Sequence, residues 1–208
     1  MAWRLLLRRC PTKSFTVVGD ISQATGPASS PSWQDALTPH VGAAWERRDL
    51  TINYRTPAQV MESACAMLVA SGHQIDPPTS VRAGEPPSFV PIDRVRAVEQ
   101  LVAEQVKVLG DGRLAVIAPE SLQSELAVVM GTWLSASGDL QAPVVLLTPE
   151  QTKGLEFDHV IVVDPAGIVA EGLHGARALF VAMTRPTQRL VLAYLDDQLP
   201  PGLERIES

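Results

Sequence analysis

Two segments in the last third of the chain combine glycine and charged residues in patterns suited to binding phosphate or sugar groups. In Thr152-Lys-Gly-Leu-Glu-Phe-Asp158, the glycine lets the backbone approach a ligand closely, and Glu156 can accept hydrogen bonds from sugar hydroxyls. In Val181-Ala-Met-Thr-Arg-Pro-Thr-Gln-Arg189, Arg185 stands at a predicted helix end, because a residue before proline disfavours helical backbone. A guanidinium at a helix C-terminus interacts favourably with the helix dipole, which by itself accounts for an arginine at this position.

Two segments in the first third of the chain carry further groups of this kind. In Leu50-Thr-Ile-Asn-Tyr-Arg-Thr56, Arg55 precedes a predicted helix and offers a permanently charged, bidentate donor to a phosphate oxygen. In Val17-Val-Gly-Asp-Ile-Ser-Gln23, Gln23 offers both a donor and an acceptor to a phosphate or a water. Taken alone, Arg55 also fits a surface arginine, and Asp20 also fits a cap at an ordinary strand end.

The order and composition of these segments resemble the third to sixth motifs of the UvrD/Rep-type superfamily 1 helicases and their ATPase relatives. That family is a nucleotide-driven motor built from two RecA-like lobes. The resemblance implies that Gln23 senses the terminal phosphate, and that Arg185 acts as an arginine finger during phosphoryl transfer. It also implies that Glu156 contacts the nucleotide sugar. The residues assigned to catalysis on this basis are Gln23, Arg55 and Arg185, and those assigned to nucleotide binding are Lys153, Gly154 and Glu156.

The elements that must position these residues alternate between strand and helix. Apolar runs at Leu114–Ala118, Pro143–Leu147 and Val160–Val163 predict buried strands, and helical spacing over Val95–Leu109 predicts one of the helices. Strands that are apolar throughout predict an α/β fold with a parallel sheet covered by helices on both faces. With the resemblance, this becomes a RecA-like sheet, the second lobe of a P-loop NTPase. Ligands of such sheets bind at the carboxyl ends of the strands, where we expect the candidate residues to lie.

Further predictions concern local structure and the division of the chain. Phe15–Val18 is predicted to be a buried strand, and a helix with Thr56 as its N-cap is predicted to run to about Ala70. The resemblance divides the chain into residues 1–50, the tail end of a first RecA-like lobe, and residues 51–208, the second lobe. The chain is therefore expected to be a piece of a longer motor.

The sequence lacks the groups that carry out hydrolysis in such motors. It contains no Gly-x-x-x-x-Gly-Lys-Ser/Thr phosphate-binding loop and no Asp-Glu pair that could hold Mg²⁺ and activate water. ATP with Mg²⁺ is therefore expected in the intact parent protein, held mainly by its N-terminal lobe. No metal ligands and no tightly bound cofactor are predicted for this chain, which is expected to be inactive by itself.

The composition predicts a folded cytoplasmic protein. A hydrophobic content of 46% is enough for a core, and a net charge of −6 argues against a broad basic surface for nucleic acid. Cys10 and Cys65 match no metal or redox spacing, as expected for small core residues in a reducing cytosol. No apolar run approaches the roughly 18 residues needed to cross a bilayer.

Several departures from the helicase pattern favour the HelD-like branch of the family, whose members are ATPases that act on RNA polymerase. Glu150 stands where DNA-unwinding members have a histidine that contacts single-stranded DNA, and a carboxylate repels a phosphate backbone. No aromatic residue follows Gln23 until Trp33, so a base-stacking platform is missing. The spacing between the Arg55 and Glu156 segments leaves little room for a large inserted subdomain. The pattern Gly-Asp-x-x-Gln-Ala-Thr-Gly-Pro also fits the HelD-like branch best.

The predicted partners are therefore the N-terminal ATPase lobe of the same parent and RNA polymerase. Two alternatives stay open at this point. One is the same lobe in an ATP-dependent DNA helicase or translocase, with DNA as its partner. The other is a RecA-like interaction module that does not bind ATP.

Overall fold

The computed structural model describes most of the chain, as residues 2–10, 12, 14–21, 30, 32–135, 139–172 and 174–203. The chain divides into two compact units, Met1–Asp49 and Leu50–Ser208. The assignment of these units to successive lobes of one motor stays a prediction. Gln23 lies outside the described residues, so its predicted role at the terminal phosphate also stays a prediction.

The described part of the first unit contains two helices, α1 (Ala2–Arg9) and α2 (Trp33–Val41). The prediction of a buried strand at Phe15–Val18 is wrong, because these residues have no strand conformation and Val18 is 86% exposed. A strand needs a partner for its backbone hydrogen bonds, and no other strand occurs among the described residues of this unit. The patterns above do not predict α2, although Ser32 caps its N-terminus with a side-chain hydrogen bond of 3.1 Å.

The second unit is built on two parallel sheets. The smaller sheet pairs β1 (Ile52–Asn53) with β2 (Thr79–Ser80). Over the described residues, the strands of the larger sheet are β3 (Ser88–Pro91), β4 (Leu114–Ile117), β5 (Val144–Leu147), β6 (Phe157–Val163) and β7 (Pro186–Tyr194). These strands are all parallel and lie in the order β3-β7-β6-β4-β5. The predicted α/β fold with a parallel sheet is confirmed.

Helices connect the strands of the larger sheet and cover it on both sides. The described helices of this unit are α3 (Ala58–Ala70), α4 (Val98–Leu109), α5 (Glu120–Val129), α6 (Pro165–Ala170) and α7 (Gly175–Met183). Single 3₁₀ turns precede α4 at Val95–Ala97 and β6 at Glu150–Thr152.

Two details of these helices differ from the sequence-based expectations. Thr56 is not the N-cap of α3, because Pro57 holds that position and the Thr56 hydroxyl bonds elsewhere. The short helix α6 is not predicted. Its N-cap is Asp164, whose backbone is left-handed (φ 50°) and whose side chain accepts a hydrogen bond from the Gly167 N–H (2.9 Å).

Apolar residues of the larger sheet alternate between two packed layers, because successive side chains of a strand point to opposite faces. One layer includes Val160 and Val162 and packs against α3, α6 and α7, where Leu179 is one of the contributing residues. The other lies against α4 and α5 and includes Ile161 and Val163. Because the strands are buried on both faces, their positions are fixed. They therefore hold the ends of the connections that precede β6 and β7 in place.

Candidate functional site

The candidate residues of the second unit lie at the amino-terminal edge of the larger sheet. Glu156 directly precedes β6, and Arg185 directly precedes β7. The expectation of a position at the carboxyl end of a strand is therefore wrong for Glu156 and Arg185, because they stand directly before the strands that they enter. Arg55, by contrast, follows the carboxyl end of β1 in the smaller sheet.

Arg55 and Glu156, which stand 101 positions apart by their residue numbers, form an ion pair at this edge. The Arg55 Nε lies 2.6 Å from the Glu156 Oε2, and the two side chains are 44% and 52% exposed. Exposed pairs of this kind contribute little to stability. The pair instead places a guanidinium and a carboxylate side by side, both open to a ligand.

Asn53, at the end of β1, holds the loop that presents Arg55. Its Oδ1 accepts hydrogen bonds from the backbone N–H groups of Arg55 (3.1 Å) and Thr56 (3.2 Å). Its Nδ2 donates to the Thr56 carbonyl (2.9 Å) and to the Ser80 hydroxyl on β2 (2.9 Å). The closed loop leaves Tyr54 69% exposed beside Arg55. The sequence analysis above does not assign this role to Asn53, although asparagine commonly bonds the backbone two residues ahead of it.

Thr56 joins this loop to the segment that precedes β7. Its side chain is buried, and its hydroxyl donates to the Thr184 carbonyl over 3.1 Å. The Thr184 hydroxyl in turn donates to the Phe180 carbonyl within α7 (2.9 Å). The start of α3 and the end of α7 are thus tied together directly behind the Arg55–Glu156 pair.

Arg185 is buried, with only 3% of the residue exposed. Its Nε donates to the Val181 carbonyl (2.9 Å), and its Nη1 donates to the Leu155 carbonyl (3.2 Å). Its Nη2 lies 3.2 Å from the Thr184 hydroxyl oxygen. This arginine therefore ties the C-terminal end of α7 to the segment before β6. The contact with the Val181 carbonyl places the guanidinium at the C-terminal end of α7, which agrees with the helix-dipole alternative, and the arginine-finger role stays a prediction.

Gly154 and Lys153 form the turn between the 3₁₀ segment and β6. Gly154 has a φ of +79°, a conformation that side chains other than glycine rarely adopt. A Cβ at this position would have no atom of the described residues within 4 Å, so the backbone faces open space. Lys153 is exposed on the same turn. Both residues are accessible to a ligand, and their binding role stays a prediction.

A second set of contacts fixes the backbone on both sides of Glu156. Asp158 accepts hydrogen bonds from the Arg113 backbone N–H (2.8 Å) and from the Gln188 Nε2 (2.9 Å), which links the amino ends of β4, β6 and β7. The Arg113 Nη2 donates to the Glu156 carbonyl (2.9 Å), and its guanidinium lies 5.3 Å from the centre of the Phe157 ring. The sequence analysis assigns no role to Arg113 or Asp158, because their partners are distant in the chain.

His159 lies near this edge on the face covered by α4. It is 5% exposed, and its Nδ1 has no hydrogen-bond partner among the described residues. Burial lowers the pKa of His159, the charge of Arg189 lowers it further, and the charges of Asp158 and Glu85 act in the opposite direction. The imidazole lines a cavity of about 310 Å³, together with Arg189 and Glu85, whose ion pair measures 2.9 Å.

Comparison with known proteins bears on this arrangement. Residues 143–193 match the UvrD-like helicase C-terminal domain family. The matched segment runs from β5 to β7 and contains both Glu156 and Arg185, whereas Arg55 lies outside it. No curated protein matches the chain.

A solved structure shares the fold of the chain. It is the C-terminal domain of a possible DNA helicase from Lactobacillus plantarum WCFS1, with 23% sequence identity and a TM-score of 0.52. The alignment covers 74% of this chain and 94% of that one. At this identity the likeness shows only that the two chains share an α/β fold. Within the described part of the chain, none of the helices has the length and hydrophobicity to cross a membrane.

Proposed function

We propose that this chain is the C-terminal motor lobe of a UvrD-like superfamily 1 ATPase. In this proposal, the amino-terminal edge of its larger sheet completes an ATP site whose other half lies on the N-terminal lobe of the parent. The observation that carries the proposal is the Arg55–Glu156 pair, which joins two segments distant in sequence at 2.6 Å. The family match over residues 143–193 supports the same assignment.

The side chains at this edge fit the two ends of a nucleotide. The Arg55 guanidinium offers a forked donor to the oxygens of the terminal phosphate, and the Glu156 carboxylate can accept hydrogen bonds from ribose hydroxyls. Gly154 and Lys153 stand on an exposed turn beside Glu156. ATP bound with Mg²⁺ supplies the phosphoryl group for hydrolysis, and the parent's N-terminal lobe would hold the metal. The chain by itself is not expected to hydrolyse ATP.

Arg185 is proposed to serve the same site at the end of α7. Its bonds to the Val181 and Leu155 carbonyls hold the backbone on which Glu156 stands. A guanidinium in this position adds positive charge close to the proposed phosphate position, and such charge stabilises the transition state of phosphoryl transfer.

ATP turnover of the intact parent tests this function. Arg55→Ala is expected to lower turnover by roughly 10³ or more, because a missing arginine at the transferring phosphoryl group costs rate on that scale. Arg94→Ala is the matched control, since Arg94 is an exposed arginine paired with Asp93 beyond the opposite end of the sheet. Equal turnover of the two variants would favour the interaction module that does not bind ATP.

Acidic residues follow the strands at the opposite, carboxyl-terminal edge. They are Asp93 after β3, Glu120 after β4, Glu150 after β5, Asp164 after β6, and Asp196 and Asp197 after β7. Phosphate backbones bind through lysine and arginine, so this edge disfavours DNA. On this ground, and on the sequence resemblance to HelD-like ATPases, we propose RNA polymerase as the partner of the parent.

A DNA helicase or translocase is the second candidate, since the matched family and the Lactobacillus structure both carry helicase names. Two measurements on the parent separate the two candidates. Fluorescence anisotropy with a labelled oligonucleotide, at low and at physiological salt, measures DNA binding. A pull-down with the parent as bait measures retention of purified core polymerase. Oligonucleotide binding that survives physiological salt, without polymerase retention, would favour the helicase. Polymerase retention with salt-sensitive, weak oligonucleotide binding would favour the polymerase-directed ATPase.

A further inference from the structure

The cavity of about 310 Å³ beside His159, called here the His159 cavity, is separate from the residues proposed to contact a nucleotide. Its wall is formed by the segment 82–85, the first residues of β7, the start of α3 and the end of α4. None of the proposed nucleotide contacts among the described residues lines it. Its volume is in the range of small-molecule sites, roughly 300–1,000 Å³.

The segment 82–85 is held firmly against the start of α3. The Arg82 carbonyl accepts a hydrogen bond from the Ala58 N–H (2.9 Å), and the Gly84 N–H donates to the Gln59 Oε1 (2.9 Å). The backbone also approaches Pro57 closely, because a Cβ at Gly84 would lie 2.6 Å from the Pro57 Cβ. This wall of the cavity is therefore formed before any ligand binds, which lowers the entropic cost of binding.

The charged groups of the wall leave one arginine available. Arg189 donates from its Nη2 to both carboxylate oxygens of Glu85, at 3.0 and 2.9 Å. Among the described residues, no side chain bonds or pairs with the Arg82 guanidinium. Burial lowers the pKa of His159, so its imidazole is neutral at neutral pH. The two arginines and one glutamate therefore give the wall a single net positive charge.

The wall also contains an uncharged polar group that lacks a partner. His159 is 5% exposed, and its Nδ1 accepts or donates no hydrogen bond among the described residues. Buried polar atoms normally have a partner, and an exception marks a place where a ligand or an ordered water completes the bonding. Pro57 and Val108 supply an apolar part of the same wall.

We propose that the His159 cavity binds a small organic monocarboxylate. A carboxylate matches the planar, forked donor of Arg82, and its single negative charge balances the net charge of the wall. An organic body can pack against Pro57 and Val108, which an inorganic ion cannot use. A phosphate ion fits less well, because its additional negative charge would lie close to Glu85 and like charges repel.

The experiment titrates the whole 208-residue chain with four probes at neutral pH and constant ionic strength. The probes are isobutyrate, acetate, the uncharged isobutyramide and inorganic phosphate. The NMR signals of the His159 ring report binding, and they are identified by their absence in His159→Gln. The chain has four histidines, so the other three rings show whether an effect is general.

We expect isobutyrate to shift the His159 signals and isobutyramide to leave them unchanged. Acetate should bind about fourfold or more weakly than isobutyrate, because it lacks apolar groups to bury. Phosphate should also bind more weakly. An isobutyramide effect equal to that of isobutyrate, tighter binding of phosphate, or no shift of the His159 signals with any probe would each overturn the proposal.

Two variants test the charges of the wall. Arg82→Gln should weaken isobutyrate binding roughly two- to fivefold, the effect of one partly exposed charge. Arg96→Gln is its matched control and should behave as the wild type, because Arg96 is also an exposed arginine but lies outside the cavity.

Glu85→Gln should strengthen isobutyrate binding by a similar factor, since it removes the only carboxylate of the wall. A variant that fails to fold cannot gain affinity, so this result is independent of stability. Equal affinities of Arg82→Gln and Arg96→Gln, or a loss of affinity in Glu85→Gln, would contradict recognition of a carboxylate at this cavity.

Discussion

At the scale of single residues, the two arginines of the proposed site stand in opposite environments. Arg55 is 44% exposed and pairs with a carboxylate that is also exposed. Arg185 is 3% exposed and donates to carbonyl oxygens of Val181 and Leu155. An exposed guanidinium can exchange partners at little cost, whereas a buried one stabilises the fold through its present partners. The same residue type therefore serves the proposed site in two different ways.

Replacing Arg185 is expected to lower the stability of the chain as well as the turnover of the parent. Arg185→Ala removes the hydrogen bonds of a buried guanidinium to the Val181 and Leu155 carbonyls together with the packing of the side chain, and such losses cost about 2–4 kcal/mol in total. Arg55→Ala should change the free energy of unfolding by less than about 1 kcal/mol, because its pair is exposed. Urea denaturation of the two variants measures their free energies of unfolding for this comparison. Equal stabilities would show that the buried contacts of Arg185 contribute nothing.

His159 is expected to make the chain less stable in mild acid. Its folded pKa is lowered from the ordinary value of 6.5, chiefly by burial, so the unfolded chain takes up the proton first as the pH falls. Uptake by the unfolded state favours unfolding, and the free energy of unfolding should decline below about pH 6.5. His73, whose pKa burial also lowers, contributes with the same sign. Denaturant titrations at several pH values should show a smaller decline for His159→Gln than for the wild type. An identical decline in both proteins would show that His159 does not contribute to the loss of stability in acid.

At the scale of elements, the amino-terminal edge is assembled by contacts that span long stretches of chain. Asn53 reaches Ser80 across 27 positions, and Thr56 reaches Thr184 across 128. These bonds connect β1 to β2 and the start of α3 to the end of α7. The loop that carries Arg55 is thus held by the elements around it, so Arg55 and Glu156 meet without either lying in a helix or strand.

The close packing of α6 against α7 depends on Gly175, the first residue of α7. A Cβ at this position would overlap the Val169 carbonyl oxygen and approach the Ile168 carbonyl oxygen to 2.7 Å. Gly175→Ala should therefore destabilise the chain by about 1–3 kcal/mol, the usual cost of overpacking. Gly172→Ala is the control, because a Cβ there meets nothing within 4 Å among the described residues. Thermal unfolding of the two variants checks this, and equal midpoints would contradict the packing argument.

The parallel sheet could be predicted from the sequence because its strands, such as Val160–Val163, are continuous apolar runs that only a doubly covered sheet buries. The buried strand expected at Phe15–Val18 shows the limit of that reasoning. A β-branched run predicts a strand whether or not a partner strand exists. Helix α6 is the opposite case, an element that the sequence patterns do not predict. It is short, and the Asp164-Pro165 pair at its start resembles a plain turn.

The identity of the candidate residues could be predicted, but their surroundings could not. Sequence patterns single out Arg55, Glu156 and Arg185 by residue type and spacing. They do not show that Arg55 meets Glu156, or that Arg185 is buried, because both facts depend on contacts distant in the chain. They also do not show that Glu156 and Arg185 lie at the amino ends of their strands. The role of Asn53 is also missed, because its Ser80 partner is distant in the chain.

At the scale of the whole molecule, charge is distributed unevenly between the two ends of the larger sheet. Carboxylates outnumber basic residues where the strands end at the carboxyl-terminal edge, although Arg94 also lies there. At the amino-terminal edge, Arg55 and Arg189 each pair with a carboxylate and Arg113 lies beside Asp158, so the two signs are mixed. The chain as a whole is acidic, with a net charge of −6. A phosphate group therefore meets more basic side chains at the amino-terminal edge, and we expect a nucleotide to approach the lobe from that side.

The most direct test of the account is a map of backbone amide chemical shifts of the chain during titration with ATP. We predict that the shifts concentrate at Asn53–Thr56 and Lys153–Glu156, and that Arg55→Ala reduces them strongly. Arg94→Ala, at the opposite edge, should leave the map unchanged. Shifts concentrated around Glu150 and Asp164 at the carboxyl-terminal edge, or a map that Arg55→Ala does not alter, would contradict the proposed nucleotide site.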